Sequence, residues 1–344
     1  MRKITMMTML FLSIIVFSIL NLTVGSVSIP VDAVFTILNP FSDGLPASES
    51  SEVWTNIIAH TRLPQTLTAM ACGAGLSIAG LQLQTVFRNP LAGPSVLGIS
   101  SAASLGVAFV VLLSGAFGGA ALLRFGIIGN TALTVAAICG AMSVMTLIVW
   151  LSQNVKGNVT LLVAGVMIGY IATAIIGVLK YFSSEEDIRA YVIWGLGSFS
   201  RVTGGQVYVF VGLIACILPF AMLEAKSLNI MLMGDKYAAN LGLNVRRARM
   251  LIITTAGILT AVVTAYCGPI MFLGLAVPHI CRGLFNTADH RQLLPATMLC
   301  GASLALLCNL IARLPGMEGA LPINSVTALI GAPIALSILL KKNI

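Results

Sequence analysis

Residues 131–151 read TALTVAAICGAMSVMTLIVWL, and residues 207–222 read VYVFVGLIACILPFAM. Neither stretch contains a charged residue, and in neither are the apolar residues confined to one side of a helix. A helix in a soluble core keeps a polar face, whereas a helix surrounded by lipid is apolar all round. The hydrocarbon core of a bilayer requires about 20 such residues. These two segments therefore predict a chain that folds within a membrane.

The composition extends this prediction to the whole chain. Of its 344 residues, 58% are hydrophobic and only 9% are charged, against roughly 25% charged in a soluble domain. The formal charge of +8 comes from lysines and arginines that cluster between apolar runs. They do not form a basic stripe interleaved with aromatic residues, so nucleic acid is excluded as a partner. We therefore predict that most of the chain is surrounded by membrane lipid.

Apolar runs of suitable length predict an all-α polytopic fold with about ten transmembrane helices, in a single transmembrane domain over residues 1–344. The first apolar run follows the basic residues Arg2 and Lys3, as in a signal peptide. The run is long enough to span a bilayer, so we predict that it is retained as the first helix. A short helix over residues 189–199 is not long enough to cross. The ten predicted spans are residues 4–24, 63–86, 96–113, 133–150, 159–179, 207–222, 250–266, 270–280, 293–312 and 323–340.

The charge distribution predicts the orientation, because lysine and arginine accumulate in cytoplasmic loops. Ten spans place both termini on one side, and that side receives thirteen of the 19 basic residues, which makes it cytoplasmic: Arg2, Lys3, Arg88, Lys156, Lys226, Lys236, Arg246, Arg247, Arg249, Arg282, Arg291, Lys341 and Lys342. The other side receives eight of the 11 acids: Asp32, Asp43, Glu49, Glu52, Glu185, Glu186, Asp187 and Glu318. Two connections are long, the external segment 25–61 and the cytoplasmic segment 223–249.

Motifs for catalysis are missing. There is no G-x-x-x-x-G-K-[ST] phosphate loop, no H-E-x-x-H helix and no nucleophile elbow, and His60, His279 and His290 are scattered. The seven cysteines include no C-x-x-C pair and mostly lie inside apolar runs, so we expect buried thiols and no metal site. We therefore expect that the chain is not an enzyme and binds no cofactor.

A secondary transporter or channel for a small solute is the alternative reading of such a membrane protein. Proton-driven or ion-driven carriers place ionisable groups near the middle of the membrane. The predicted spans contain none there, and Lys180 lies at a helix end. The energy for transport would then come from a partner that acts through the cytoplasmic segment 223–249.

The cytoplasmic segment contains GDKYAANLGLNVRRAR over residues 234–249. We predict that Asp235 begins a short helix, that Gly242 adopts the left-handed conformation that ends it, and that Asn244 caps the next helix. Apolar Tyr237, Ala238, Leu241 and Leu243 beside Arg246, Arg247 and Arg249 could fit a groove on a soluble partner. A helix lying on anionic lipid explains the same pattern equally well.

Four blocks of sequence resemble the FecCD-like permease family, the membrane subunits of ABC importers for ferric siderophores, haem and cobalamin. They are RLPQTLTAMACGAGLSIAGLQLQTVFRNPLAGPSVLGISSAASLG from Arg62, GDKYAANLGLNVRRAR from Gly234, GPIMFLGLAVPHICRGLFNTADHRQLLPA from Gly268 and LPINSVTALIGAPIALSILL from Leu321. They lie largely at helix ends and loops, where solubility in lipid does not dictate the residues. The resemblance covers about residues 62–340.

The resemblance implies a homodimer of ten-helix subunits in a bacterial inner membrane, with an external substrate-binding protein. Two ATP-binding cassette subunits would bind ATP and magnesium and drive alternating access. The segment matching residues 234–249 is the family's ATPase coupling loop, which implicates Gly234, Asp235, Ala238, Leu241, Gly242, Asn244, Arg246 and Arg247. Arg62 and Arg313 match arginines that meet carboxylates of the binding protein.

The translocation path is expected near the fifth span. Gly165, Gly169, Thr173 and Gly177 recur every four residues and form a stripe of small side chains on one helix face. Spacing alone is equally compatible with packing inside one subunit. The resemblance implies that this helix borders the path and that residues 194–200, including Trp194 and Ser198, contribute to an external gate. For the short eighth span we expect a linker that contains Arg282, with His279 as a hydrogen-bonding residue.

Overall fold

The computed structural model describes residues 2–39, 49–113, 127–155, 157–314 and 320–341. Within these ranges the regular structure is helical and there is no β-strand. A π-helical turn, Ile58–Arg62, and two 3₁₀ turns, Pro94–Leu97 and Phe199–Arg201, accompany the α-helices. The described α-helices are α1 Arg2–Thr23, α2 Val31–Leu38, α3 Glu49–Ile57, α4 Leu63–Phe87, α5 Ile99–Leu112, α6 Ile127–Asn154, α7 Asn158–Tyr181, α8 Glu185–Gly195, α9 Gly205–Leu223, α10 Ala225–Met231, α11 Asp235–Asn240, α12 Val245–Cys267, α13 Leu273–Phe285, α14 His290–Ile311 and α15 Ile323–Lys341.

The prediction of about ten apolar helices is confirmed in the described residues. Seven helical stretches are long and apolar enough to cross a membrane: Lys3–Thr23, Ser50–Phe87, Gly129–Asn154, Val159–Tyr181, Gly205–Leu223, Val245–Cys267 and His290–Ile311. Three shorter apolar helices, Ile99–Leu112, Leu273–Phe285 and Ile323–Ser337, account for the remaining predicted spans. Each predicted span therefore overlaps one of these ten helical stretches.

The helix at the second span begins earlier than predicted. Helix α3, the π-helical turn and α4 form one continuous helix, although Pro64 lies in the first turn of α4. In an α-helix a proline ring clashes with the carbonyl group of the residue four positions earlier. In a π turn that carbonyl bonds the N–H five residues further on, so the turn accommodates the ring. Within the predicted external segment 25–61, residues 25–39 and 49–61 are described, and they contain α2 and α3.

Helix α4 is the buried centre of the molecule. It packs against α9, α12, α13 and α14, and it is buried along nearly its whole length. Glycines allow the closest approaches: a Cβ placed on Gly73 would lie 2.1 Å from the carbonyl oxygen of Gly301, and one on Gly80 would lie 1.7 Å from that of Gly274. Any side chain at these two positions would therefore push neighbouring backbone away.

Helix α8 corrects the predicted short helix over residues 189–199, because it runs from Glu185 to Gly195. Ser184 caps it: the Ser184 hydroxyl accepts a hydrogen bond from the backbone N–H of Asp187 at 3.3 Å and donates to the Asp187 carboxylate at 2.7 Å. Three acids occupy the first turn, where the helix dipole favours negative charge. The signal that the prediction missed was this serine followed by acids.

Helix α13 corrects the predicted eighth span, which was placed at residues 270–280. Phe272 adopts a left-handed conformation with φ of 68° directly before the helix, which then continues through Pro278 to Phe285. His279 and Arg282 therefore lie in this helix and not in a linker. His279 Nε2 is 2.8 Å from the carbonyl oxygen of Pro90, which confirms its expected hydrogen-bonding role.

Candidate functional site

The predicted shape of the segment 234–249 is confirmed. Helix α11 begins at Asp235 and ends at Asn240. Gly242 follows with φ of 82°, and nothing lies within 4 Å of a Cβ placed there, so its backbone conformation and not crowding favours glycine. Asn244 Oδ1 accepts a hydrogen bond from the backbone N–H of Arg247 at 3.0 Å and so caps α12.

The residues predicted to contact an ATPase divide between two faces of this segment. Tyr237, Leu241, Arg246 and Arg247 have exposed side chains. Ala238, by contrast, is fully buried. The exposed face therefore combines two large apolar side chains with two cations, a composition typical of a surface that docks with another protein.

Asp235 also makes two ion pairs. Arg88 Nη2 donates to Asp235 Oδ1 at 2.5 Å, and Arg249 Nη2 donates to Asp235 Oδ2 at 2.6 Å. Arg88 ends α4, and Arg249, only 9% exposed, lies in the first turns of α12. We call these three residues the Asp235 network. It connects α11 to two membrane helices at once.

Glu224, directly after α9, makes a comparable arrangement. Its Oε2 accepts from Gln82 Nε2 of α4 at 2.6 Å, and its Oε1 accepts from the Thr255 hydroxyl of α12 at 2.8 Å. We call these three residues the Glu224 network. Burial raises the pKa of Glu224 to about 7, because the neutral donors Thr255 and Gln82 only partly offset the loss of water around the carboxylate.

A third contact lies between these two networks. His290 Nε2 is 2.7 Å from the Thr85 hydroxyl of α4, and His290 Nδ1 is 2.9 Å from Asn229 Oδ1 of α10. Asn229 Nδ2 also donates to Asp289 Oδ1 at 2.6 Å. His290 is therefore a structural hydrogen-bonding residue that connects α10 to α4.

The environment of Arg62 favours a structural role over the predicted contact with a binding protein. The side chain is 1% exposed, and its Nη1 donates to the carbonyl oxygens of Leu22 at 2.6 Å and Thr23 at 2.9 Å. Its Nη2 donates to the carbonyl oxygen of Val27. The guanidinium therefore connects the end of α1 to the chain that follows it. Arg313 is less buried than Arg62, and its Nη1 makes no hydrogen bond among the described residues.

The stripe of small residues on α7 divides into two halves. A Cβ on Gly165 would lie 2.9 Å from the Leu97 backbone, and Gly169 lies against Gly98, so this half packs inside the chain. Thr173 is exposed, and nothing lies within 4 Å of a Cβ placed on Gly177. Only the second half, which is nearer α8, is open to a partner, lipid or a path.

Residues 194–201, the predicted gate segment extended by one residue, are packed against the end of α12. The backbone N–H of Ser198 donates to the carbonyl oxygen of Cys267 at 2.8 Å, and the Ser198 hydroxyl is 2.7 Å from that of Ser200. The Trp194 side chain is buried, and the Arg201 guanidinium lies 5.7 Å from the centre of its ring. Burial lowers the pKa of Arg201 to about 10.

No group of three or more His, Cys, Asp or Glu side chains that could bind a metal ion occurs in the described ranges. All seven cysteines are free thiols, and five are buried as predicted: Cys72, Cys267, Cys281, Cys300 and Cys308. Cys139 and Cys216 are exposed on α6 and α9.

The partners of Asp235 and Glu224 are not evident from the sequence alone. A signal was present, because Gln82, Thr85 and Arg88 recur every three residues at the end of an otherwise mostly apolar α4. Such spacing places polar side chains on one helix face. What they contact is remote in sequence and could not be read from that pattern.

Ten apolar helical stretches, among which α4 is buried, with a compact helical unit between α9 and α12, are the architecture of a polytopic permease of the kind that serves ABC importers. The chain belongs to the FecCD transport family, whose profile matches residues 12–341.

Two curated relatives have similar length. The vitamin B12 import system permease protein BtuC of Klebsiella pneumoniae is 35% identical over 304 residues, which cover 88% of this chain and 87% of the relative. The hemin transport system permease protein HmuU of Yersinia pestis is 35% identical over 294 residues, which cover 85% and 84%. A solved metal-chelate type ABC transporter in an inward-facing conformation superposes with a TM-score of 0.82 at 28% identity, over 98% of this chain and 99% of that one.

Proposed function

We propose that this chain imports an iron chelate, either a ferric siderophore or haem, or cobalamin, by alternating access. The names of the relatives support this substrate class, since one imports vitamin B12 and the other transports hemin. The chain provides the path across the membrane, and partner ATPases provide the energy.

The observation that carries this proposal is the compact unit formed by α11 and the start of α12. Its exposed Tyr237, Leu241, Arg246 and Arg247 form the surface on which an ATP-binding cassette subunit docks. Five further residues of the unit support that surface from buried or turn positions: Gly234, Asp235, Ala238, Gly242 and Asn244. Because the chain has no phosphate loop, ATP and magnesium bind at the partner subunits, and the chain by itself is not an enzyme and holds no cofactor or metal.

A homodimer is the proposed working unit. The centre of the chain is filled by the buried α4, so a path for a large chelate lies beside the chain and not through its middle. A second copy would enclose that path. Thr173 and Gly177 on the open half of α7 border it, and Gly165 and Gly169 position α7 against the 3₁₀ turn at Pro94–Leu97. Trp194 and Ser198 belong to the external gate.

A substrate-binding protein is the proposed external partner. Arg313 is the better placed of the two predicted docking arginines, because the Arg62 guanidinium already bonds three carbonyl oxygens of its own chain. Arg62 then shapes the docking surface from below. Charge reversal separates the roles: Arg313→Glu should slow capture of the binding protein at low salt, whereas Arg62→Glu should destabilise the permease itself.

The proposed topology places both termini in the cytoplasm of a bacterial inner membrane, as one transmembrane domain over residues 1–344. The segment 25–61 is then external and the segment 223–249 is cytoplasmic. Four residues of the charge count lie outside the described residues: Asp43, Lys156, Glu318 and Lys342.

The decisive experiment uses the permease purified with its ATPase subunits in proteoliposomes. Haem, cobalamin and a ferric siderophore are supplied separately with the binding protein, and ATP hydrolysis and uptake are measured. We expect one of the three to be taken up only when ATP is hydrolysed. Uptake that continues without the ATPase, driven by an ion gradient, would instead establish a secondary transporter.

A further inference from the structure

Two polar side chains at the end of α4 contact the segment 223–249 directly, and a third is linked to it through His290 of α14. Gln82 donates to Glu224, Thr85 contacts His290, whose other ring nitrogen contacts Asn229, and Arg88 donates to Asp235. Residues spaced by three lie close together on one face of a helix. The end of α4 therefore contacts both ends of the connection between α9 and α11, and His290 links it to the middle.

Helix α12 contacts the same two acids from another side. Arg249 pairs with Asp235, and Thr255 donates to Glu224. Each acid thus receives one donor from α4 and one from α12. A carboxylate with two donors on two different helices fixes its own backbone relative to both of them.

The backbone of Arg88 is an independent sign of constraint. It has φ of 48°, in the left-handed region where glycine or asparagine is usual at the end of a helix. An arginine there is disfavoured by its Cβ, and such residues persist where the surroundings over-determine them. Here the left-handed turn lets the side chain pair with Asp235. Glycine would satisfy the turn but would lose that contact.

Both helices also reach the gate segment. Helix α4 contacts the 3₁₀ turn Phe199–Arg201, and α12 ends at Cys267, whose carbonyl oxygen accepts from Ser198 N–H. At about 1.5 Å per residue, the 23 residues of α12 cover ~35 Å between Asn244 and that carbonyl. Two rigid helices therefore connect the segment that carries α11 with the segment proposed as the gate.

We propose that Arg88 and Arg249 are positioning residues that join α11 to α4 and α12, so that displacement of α11 moves these two helices and, through them, residues 194–201. The Glu224 network performs the same task at the other end of the segment. This inference rests on the proposed docking of an ATPase at α11, and it adds the route by which the docking signal crosses the membrane.

The test uses the assembled importer, with its ATPase subunits, in proteoliposomes. Three quantities are measured: co-purification of the ATPase with the permease, basal ATP hydrolysis, and the factor by which the external binding protein stimulates hydrolysis. The variants are Arg88→Gln, the charge-conserving Arg88→Lys, and Arg291→Gln, which removes an exposed arginine close to α14's start as a matched control.

We expect Arg88→Gln to keep co-purification and basal hydrolysis but to lose roughly two- to fivefold in stimulation, the scale of a partly exposed ion pair. Arg88→Lys should retain most of the stimulation, and Arg291→Gln should retain all of it. Full stimulation in Arg88→Gln overturns the inference. Loss of co-purification in Arg88→Gln also overturns it, because Arg88 would then support docking and not transmission.

A double-mutant cycle with Asp235→Asn shows whether Arg88 acts through Asp235. If it does, adding Arg88→Gln to Asp235→Asn changes stimulation no further. Independent, multiplicative losses would contradict the network. The proposed docking is tested separately by replacing the exposed Tyr237 and Leu241 with serine. If the docking proposal is wrong, these replacements leave co-purification of the ATPase unchanged.

Discussion

At the scale of single residues, Gly242 connects backbone geometry to the proposed docking surface. Its φ of 82° and the empty space around it predict that only the conformation matters. Gly242→Val should weaken ATPase association by an amount near 1 kcal/mol or more, because a β-branched side chain disfavours the left-handed region. Co-purification and a binding titration measure this.

Gly242→Asn is the matched control, since asparagine tolerates the left-handed conformation. It should associate nearly as well as the unmodified chain. Equal loss in both variants would mean that the site excludes any side chain, and no loss in either would mean that this turn does not shape the docking surface.

Arg62 illustrates how a side chain predicted to bind a partner can serve the fold. It donates to the carbonyl oxygens of Leu22 and Thr23 at the end of α1 and of Val27 beyond it, and its removal takes these donors away, although the Thr23 oxygen still accepts from the backbone N–H of Ile29. Arg62→Met should lower the stability of the purified permease by roughly 1–3 kcal/mol. Arg313→Met, the control at the less buried arginine, should cost less. Thermal unfolding followed by tryptophan fluorescence distinguishes them, and an unchanged Arg62→Met would restore the docking role.

Glu224 gives a pH dependence with a definite sign. Its pKa rises from 4.5 to about 7 in the folded state, so the native chain keeps a proton that the unfolded chain has lost between these values. The stabilisation is complete below pH 4.5 and is lost as the pH rises through about 7. Glu224→Gln should therefore gain in melting temperature relative to the unmodified chain between pH 6 and pH 8. A difference in melting temperature that does not change with pH would contradict a raised pKa.

At the scale of helices, the contact between α4 and α13 depends on a missing side chain. A Cβ on Gly80 would lie 1.7 Å from the Gly274 carbonyl oxygen, so Gly80→Ala must separate the two helices. We expect a loss of roughly 1–3 kcal/mol, the usual cost of overpacking. Melting temperatures in nanodiscs provide the measurement.

Gly212 in α9 is the control, because nothing lies within 4 Å of a Cβ placed there. Gly212→Ala should be neutral or stabilising by roughly 0.5–1 kcal/mol through helix propensity. A similar loss in both variants would point to a general effect of alanine and not to the close approach at Gly274.

The helices α8 and α13 show which boundaries the sequence predicts poorly. The start of α8 depends on one hydrogen-bonding pair at Ser184 and Asp187, and the start of α13 on the left-handed Phe272. Apolar length, which placed the long spans well, carries no information about such local turns.

At the scale of the whole molecule, the topology can be tested directly. Single cysteines replace Glu52 and Asn244, both exposed, in a chain whose accessible Cys139 and Cys216 are serines. A membrane-impermeant maleimide added to intact cells should label position 52 at once and position 244 only after permeabilisation. The reverse pattern would invert the proposed orientation.

The arrangement of α4 and α12 supports the proposal that displacement of α11 reaches residues 194–201. Packed helices transmit displacement because close-packed interiors are not easily compressed. Under the proposal made above, the response of residues 194–201 depends on concerted motion of both helices. Coupling through a defined mechanical element of this kind is testable by the substitutions at Arg88 and Asp235.

The sequence by itself determined the environment, the approximate number of apolar helices and the local form of the segment 234–249. Lipid solubility requires long uncharged runs, and the turn at Gly242 and the cap at Asn244 depend on neighbours a few residues away. These properties are local, so a linear pattern encodes them.

Only the tertiary structure decided which polar residues meet. Arg88 and Asp235 are 147 residues apart, and Gln82 and Glu224 are 142 apart. It also buried Arg62 and Ala238, and it divided the α7 stripe between internal packing and an open face. The physical reason is that α4 is surrounded by helices from distant parts of the chain, and contacts between such helices depend on how whole surfaces pack together.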